Sequence, residues 1–138
     1  MPRREDGAAP GTLLAGLAAA KAEKLAEINA AFDSVASALT ATYPERELLT
    51  FDQQVSEATA YLADATAACP MLAPLAQARG VALDDLCHRV LAKHQAFSTA
   101  TGMLMGQRQA LEDRVDAAET PADARAIVVT IALSAVEA

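Results

Sequence analysis

The sequence predicts an all-α fold built around a long antiparallel helical hairpin, with two or three shorter helices packed on it. We place the two long helices near residues 12–42 and 83–118. Alanine accounts for 35 of the 138 residues, and alanine, leucine, glutamate and glutamine all favour helix. Only six glycines and six prolines interrupt the chain, and both long stretches are free of proline. Larger apolar residues recur along these stretches at helical spacing.

The first predicted helix follows a short polar segment. Residues 1–11 hold two prolines, two glycines and four charged residues, which predicts a disordered tail ahead of a single helical domain over residues 12–138. Thr12 is a suitable N-cap, and Tyr43-Pro44 ends the helix because proline disfavours helical geometry in the residue before it. A narrow apolar seam runs between them, formed by Leu25, Ile28, Phe32, Val35 and Leu39.

Two shorter helices are predicted in the middle of the chain. Thr50 and Gln53 fit a capping box that begins a helix ending near Ala63. Its apolar face is predicted to carry Phe51, Val55, Ala58 and Leu62. A further helix is expected from Met71 to Arg79, with Gly80 stopping it.

The second long helix carries a seven-residue repeat of apolar residues. Its companion row on the same side is mostly polar, so the seam is only half apolar. A helix this long would overshoot a small globule, which leaves a kink at Gly102 or Gly106 as the alternative to the hairpin. The apolar row is Leu83, Val90, Phe97, Leu104 and Leu111, and the companion row is Cys87, His94, Thr101, Arg108 and Val115.

A last helix is predicted to begin at Thr120-Pro121, with threonine as the cap and proline at the first helical position. Residues 127–133 are rich in β-branched side chains and fit either a helix or a strand. Because no partner strand is visible elsewhere, we expect a helix there.

Charge and hydropathy limit the classes of partner. The net charge of −7 and the scattered basic residues predict no nucleic-acid binding. No stretch of 18 apolar residues occurs, so no membrane span is predicted. Arg3-Arg4 and the apolar residues that follow resemble a secretory signal, but Glu5-Asp6 spoil its positive region. We therefore expect a cytoplasmic protein whose two cysteines are reduced.

The sequence offers no set of residues suited to catalysis. His88 and His94 face different sides of one helix, and Asp84-Asp85 fit the acidic preference of a helix N-terminus. No nucleophile triad or glycine-rich phosphate loop is present. We therefore predict no catalytic residue, no cofactor, no metal and no enzymatic activity.

The candidate interaction surface lies on the second long helix. Ser98, Gly102, Gly106 and Ala110 form a stripe of small residues, which is typical of a close helix crossing within a subunit or between subunits. Flexible Met103 and Met105 flank the stripe, and the polar pair Gln107 and Arg108 follows. Arg108 faces the seam, where a carboxylate such as Asp33 is a suitable partner.

Several motifs together resemble a known family. They are Lys24-Leu25-Ala26-Glu27-Ile28, Tyr43-Pro44, Thr50-Phe51-Asp52-Gln53, Ala78-Arg79-Gly80 and Gly106-Gln107-Arg108-Gln109. The chain resembles, over residues 21–129, an uncharacterised helical domain of phage and prophage tail-fibre and tail-fibre-assembly proteins. The resemblance implies a non-enzymatic role in tail assembly, as a chaperone or a small structural component.

The resemblance also implies partners and a location. A phage tail or tail-fibre protein is the implied partner, together with further copies of the chain. The implied location is the cytoplasm of the bacterial host, with the virion as a second site. The alternative function is a helical protein-binding module or regulator unrelated to phage.

Overall fold

A computed structural model of the chain describes residues 10–133, with side chains from residue 13 onward. Within this range six helices follow one another and no strand is present, which confirms the all-α prediction. Residues 1–9 of the predicted tail and residues 134–138 lie outside the described range, while Pro10 and Gly11 already belong to the first helix. The helices are α1 (Pro10–Thr40), α2 (Glu45–Leu49), α3 (Phe51–Ala63), α4 (Leu72–Arg79), α5 (Leu83–Ala117) and α6 (Pro121–Arg125).

The described residues group into two compact units. The terminal unit comprises those within Met1–Ala38 and Gly102–Ala138, and the central unit is Leu39–Thr101. That residues 12–138 form a single domain stays a prediction.

The long helices α1 and α5 run antiparallel within the terminal unit. Lys21 Nζ donates to the carbonyl oxygen of Asp116 at 3.1 Å, and the Arg108 guanidinium lies over the Phe32 ring, 4.7 Å from its centroid. The predicted antiparallel pair is thereby confirmed, and α5 stays helical through Gly102 and Gly106. Both predicted seams supply buried side chains to this unit, which are Ile28 from α1 and Leu104, Leu111 and Val115 from α5.

The helix α6 begins as predicted but is short. The Thr120 hydroxyl accepts the backbone N–H of Asp123 at 3.0 Å, and Pro121 occupies the first helical position. The helix ends at Arg125, and residues 127–133, which we call the extended segment, form neither a helix nor a strand in the described chain. The prediction of a helix there is wrong, because side chains of α1 and α5 bind the backbone of this segment in place of helical hydrogen bonds.

The central unit contains one helix that the sequence pattern missed and one wrong cap. The five-residue helix α2 ends directly at Thr50, whose N–H and hydroxyl both donate to the carbonyl oxygen of Glu47, at 3.1 Å and 2.9 Å. Its N–H is therefore not free for the reciprocal bond of a capping box. Gln53 instead donates to Glu57, four residues further on, at 2.9 Å. The predicted capping box is wrong, although α3 has the predicted bounds.

The inner face of α3 is also rotated from the predicted one. Its buried residues are Gln54, Glu57 and Ala58, whereas Leu62 is exposed. The predicted helix α4 is confirmed and ends at Gly80, whose φ of +74° is the left-handed conformation that favours glycine. The core cluster of this unit consists of Ala58, Cys69, Leu72, Ala76, Leu86 and Cys87.

Candidate interaction surface

Gly102 and Gly106 lie on the exposed side of α5, opposite the buried Leu104. Apart from the chain neighbours of each glycine and the adjacent backbone of α5, no described atom lies within 4 Å of a Cβ placed on either glycine. Met103 and Met105 flank them with 41% and 40% of their surface exposed. Neither glycine therefore makes a close packing contact with another element among the described residues. A contact between chains stays a prediction.

Gln107 faces the extended segment rather than solvent. Its Nε2 donates to the carbonyl oxygens of Met103 and Ala132, at 3.1 Å and 3.0 Å. Its Oε1 accepts the N–H of Ala132 at 3.1 Å. The side-chain amide thus bonds to both the N–H and the carbonyl oxygen of Ala132, as a residue of a neighbouring strand would. These two hydrogen bonds hold residue 132 against α5.

Lys24 of α1 holds the beginning of the same segment. Its buried ammonium donates to the carbonyl oxygens of Arg125 and Ile127, at 3.2 Å and 2.9 Å, and forms an ion pair with Glu27. Lysine is rarely buried unless its donors are satisfied, and here three oxygens satisfy them. Inward and outward side chains alternate between these two anchors, with Ile131 buried and Val128 exposed.

A groove separates α5 from the extended segment. It has a volume of about 370 Å³. Ala110 therefore lies at a groove, while Gly102 and Gly106, on the neighbouring part of the α5 surface, are outside its lining. The predicted surface is thus two adjoining surfaces in the terminal unit: the exposed glycine–methionine face and this groove. The groove is lined by Gln107, Ala110, Leu111, Arg114, Val128 and Thr130.

Arg108 contacts the first long helix, as predicted, but through a different residue. Its guanidinium lies over the Phe32 ring rather than beside Asp33, which is exposed. Its Nε is 3.8 Å from the carboxylate of Glu112, a distance too long for a hydrogen bond. Arg108 therefore contributes to packing inside the terminal unit and is not part of the exposed face.

Ser98 is separated from the other predicted surface residues. It belongs to the central unit, where its hydroxyl lies 3.3 Å from His94 Nε2. The other imidazole nitrogen of His94 is buried and has no hydrogen-bond partner in the described chain. The remaining predicted surface residues, Gly102, Met103, Met105, Gly106, Gln107, Arg108 and Ala110, all belong to the terminal unit.

Glu57 is a buried carboxylate that the sequence pattern did not single out. Only 7% of the residue is exposed, and its oxygens accept the N–H groups of Met71 and Leu72 at 2.9–3.2 Å. These are the otherwise unpaired donors at the start of α4, so Glu57 caps that helix from α3. The sequence did carry one sign of this role, because Glu57 is a glutamate directly beside Ala58 of the predicted apolar face.

Glu57 stays ionised in spite of its burial. Burial raises the pKa of this carboxyl, but the hydrogen bonds from Leu72, Gln53 and Met71 outweigh that effect and hold the pKa below its usual value. Burial raises the pKa of the nearby Cys69 and Cys87 thiols, and the negative charge of Glu57 acts in the same direction. Both cysteines are free and buried, an environment that favours unreactive thiols.

No group of three or more histidine, cysteine, aspartate or glutamate side chains is arranged to hold a metal ion within residues 10–133. None of the helices in this range combines the length and apolar character needed to cross a bilayer.

One part of the chain is similar to a known family of helical domains. Residues 92–133 match the model of a family described as the HI1402 helical domain. A protein of Haemophilus influenzae, named only as an uncharacterised protein, is 42% identical over 45 residues, which cover 33% of this chain and 66% of that protein. The chain thus matches slightly less than two thirds of that relative. No solved structure matches the chain.

Proposed function

We propose that this chain is a helical protein-interaction module that acts without catalysis. The observation that carries the proposal is the exposed face of α5, where Gly102 and Gly106 leave open space and Met103 and Met105 are exposed beside them. Each glycine inside a helix costs about 1 kcal/mol relative to alanine. A close contact with another chain would explain why the two glycines are present in spite of this cost in stability. This face lies within the stretch that matches the helical-domain family.

The partner that we propose is a protein, either a second copy of the chain or a different one. Small residues let another helix approach closely, and the flexible thioethers adapt to its surface. The net charge of −7 opposes binding to nucleic acid, and we propose a cytoplasmic location.

A role in phage or prophage tail-fibre assembly is the more specific hypothesis. It rests on the motifs noted in the sequence, since the descriptions of the helical-domain family and of the H. influenzae relative mention no tail protein. Co-expression with the protein of a neighbouring tail-fibre gene tests it, and recovery of a stable complex is the expected result. If such genes are absent from the neighbourhood in several genomes, the hypothesis fails.

The module hypothesis is tested by filling the exposed face. In the Gly102→Leu and Gly106→Leu variants the new Cβ atoms enter open space at exposed positions, so we expect folding to be retained. Molar mass is measured by light scattering over a range of concentrations, alone and with the candidate partner. Ala30→Leu, at an exposed position of α1, is the matched control.

The expected result is weaker association for both glycine variants and unchanged association for Ala30→Leu. Circular dichroism would show the same helix content in all of the proteins. If neither mass nor partner binding differs between the glycine variants and wild type, this face is not an interaction surface.

A further inference from the structure

The basic residues of the central unit are gathered in one place. Leu39–Thr101 contains four lysine or arginine residues, which are Arg46, Arg79, Arg89 and Lys93. The three arginines line a single pocket of about 410 Å³. They come from α2, α4 and α5, so the fold rather than the local sequence brings them together.

The positive charge of this pocket is not neutralised inside the protein. None of the three guanidinium groups has an ion pair or hydrogen bond with any residue in the described range. Glu47 is the one carboxylate in the lining, and it already forms an ion pair with Lys93. The pocket is therefore a positive site on an acidic chain, where it attracts anions.

Helix dipoles favour two of the three arginines, since Arg46 lies in the last turn of α2. Arg79 is the last residue of α4, where a positive charge is favoured. Arg89 lies in the second turn of α5, beyond the first turn to which the dipole effect is confined.

The rest of the lining selects the kind of anion. The Thr50 hydroxyl is already engaged, since it donates to Glu47 and accepts from Gln54. The arginines are therefore the main free donors, and a guanidinium binds carboxylate and phosphate oxygens in pairs. The remaining lining is apolar and consists of Met71, Leu75, Leu86 and Val90.

We propose that this pocket binds a small organic anion, a phosphomonoester or carboxylate attached to an apolar group. The arginines would hold the anionic group, and the apolar side chains would contact its body. The volume falls within the usual range of small-molecule sites. The site is independent of the α5 surface in the terminal unit.

Phenyl phosphate and benzoate are suitable probes, with inorganic phosphate and benzyl alcohol as comparators. Titrations of the full chain are followed by calorimetry and by NMR of the backbone amides. We expect phenyl phosphate or benzoate to bind more tightly than either comparator, with shifts confined to residues around the pocket. Tighter binding of phenyl phosphate would indicate a phosphate ligand, and tighter binding of benzoate would indicate a carboxylate ligand.

The double variant Arg79→Gln/Arg89→Gln tests the role of the arginines. We expect it to weaken binding by about tenfold or more, because it removes charge-assisted hydrogen bonds. The control Arg114→Gln/Arg125→Gln makes the same charge change in the terminal unit and should bind as wild type does. NMR mapping of the unaltered chain provides a second readout that does not depend on a variant's folding.

The proposal is overturned by either of two results. One is the absence of saturable binding of both probes at millimolar concentration, or of shifts at the pocket. The other is equal weakening in the two double variants, which would indicate attraction by overall charge alone.

Discussion

A single buried carboxylate joins two helices of the central unit. Glu57 of α3 accepts the N–H groups of Met71 and Leu72 at the start of α4, and it also accepts the Gln53 amide. A buried charge is tolerated only where such donors compensate for the lost water. The position of α4 on α3 therefore depends on the ionised form of one side chain.

Replacing Glu57 by glutamine should destabilise the central unit. The amide oxygen still accepts one N–H, but the charge and part of the cap are lost, so we expect a loss of about 1–3 kcal/mol. The free energy of unfolding is measured by urea denaturation. Glu119→Gln, at an exposed position, is the control and should change it by less than about 0.5 kcal/mol.

Wild type and the Glu57→Gln variant should also differ in how their stability depends on pH. The folded pKa of Glu57 lies below its usual 4.5, so ionisation contributes stability above that pH, and the contribution is lost as pH falls through the folded pKa. The stability difference between wild type and Glu57→Gln should be constant near neutrality and shrink below about pH 4.5. A difference that grows on acidification would contradict this assignment.

Replacing glycine by alanine should have opposite effects on stability at two positions. Gly106→Ala adds a methyl group in open space within a helix, so it should stabilise the isolated chain by about 0.5–1 kcal/mol. Gly80→Ala should destabilise by about 1 kcal/mol, because its φ of +74° is unfavourable for alanine. Thermal unfolding at low protein concentration compares them. Equal destabilisation would show that the α5 glycine has a packing role in the single chain.

At the scale of elements, the extended segment 127–133 differs most from the rest of the described chain. Apart from the Ile127 N–H, which donates to the carbonyl oxygen of Ala124 at 3.3 Å, its backbone groups have no helical or strand partners among the described residues. Two distant side chains bind the backbone at Ile127 and Ala132. Lys24 binds its beginning, and Gln107 binds Ala132. The conformation of this element is therefore determined by α1 and α5 rather than by its own sequence.

Gln107→Ala should release the end of this segment. We expect faster hydrogen exchange at the Ala132 amide and a loss of about 1 kcal/mol in the stability of the terminal unit. Gln109→Ala is a matched control, because Gln109 is exposed two positions further along the same helix. Unchanged exchange at Ala132 in Gln107→Ala would show that the amide pairing is unimportant.

The strongly periodic elements were predictable, and the elements that depend on distant contacts were not. The bounds of α5, the αL stop at Gly80 and the Thr120 cap follow from spacing and from local backbone chemistry. The helix α2 was missed because five residues are too few to show a period. The extended segment was misassigned because β-branched residues in sequence do not reveal Lys24 or Gln107.

The candidate site was predicted in part. The small residues of α5 were found from their four-residue spacing, but spacing alone does not tell which side of a helix its neighbours cover. The arginine pocket was missed because Arg46, Arg79 and Arg89 belong to three separate helices. Only their packing brings the charges together.

At the scale of the whole molecule, charge opposes self-association. Each copy carries a net charge of −7, so two copies repel one another, and salt screens this repulsion. If copies associate through the glycine–methionine face of α5, the contact is apolar and gains from screening. We therefore expect stronger association in high salt than in low salt.

Sedimentation equilibrium at low and high sodium chloride concentrations measures this effect. Gly106→Leu provides the comparison, because it should weaken association at both concentrations. Association that becomes weaker as salt is added would mean that ion pairs hold the copies together, which would contradict an apolar contact.

The side-chain anchoring of residues 127–133 also has a consequence for the order of folding. Lys24 and Ile127 are 103 positions apart in the chain, so their hydrogen bond forms only after a very large loop has closed. Local helices form much sooner than such contacts. Gln107 and Ala132 are only 25 positions apart, so we expect the end of the segment to dock on α5 before Lys24 binds its beginning during refolding.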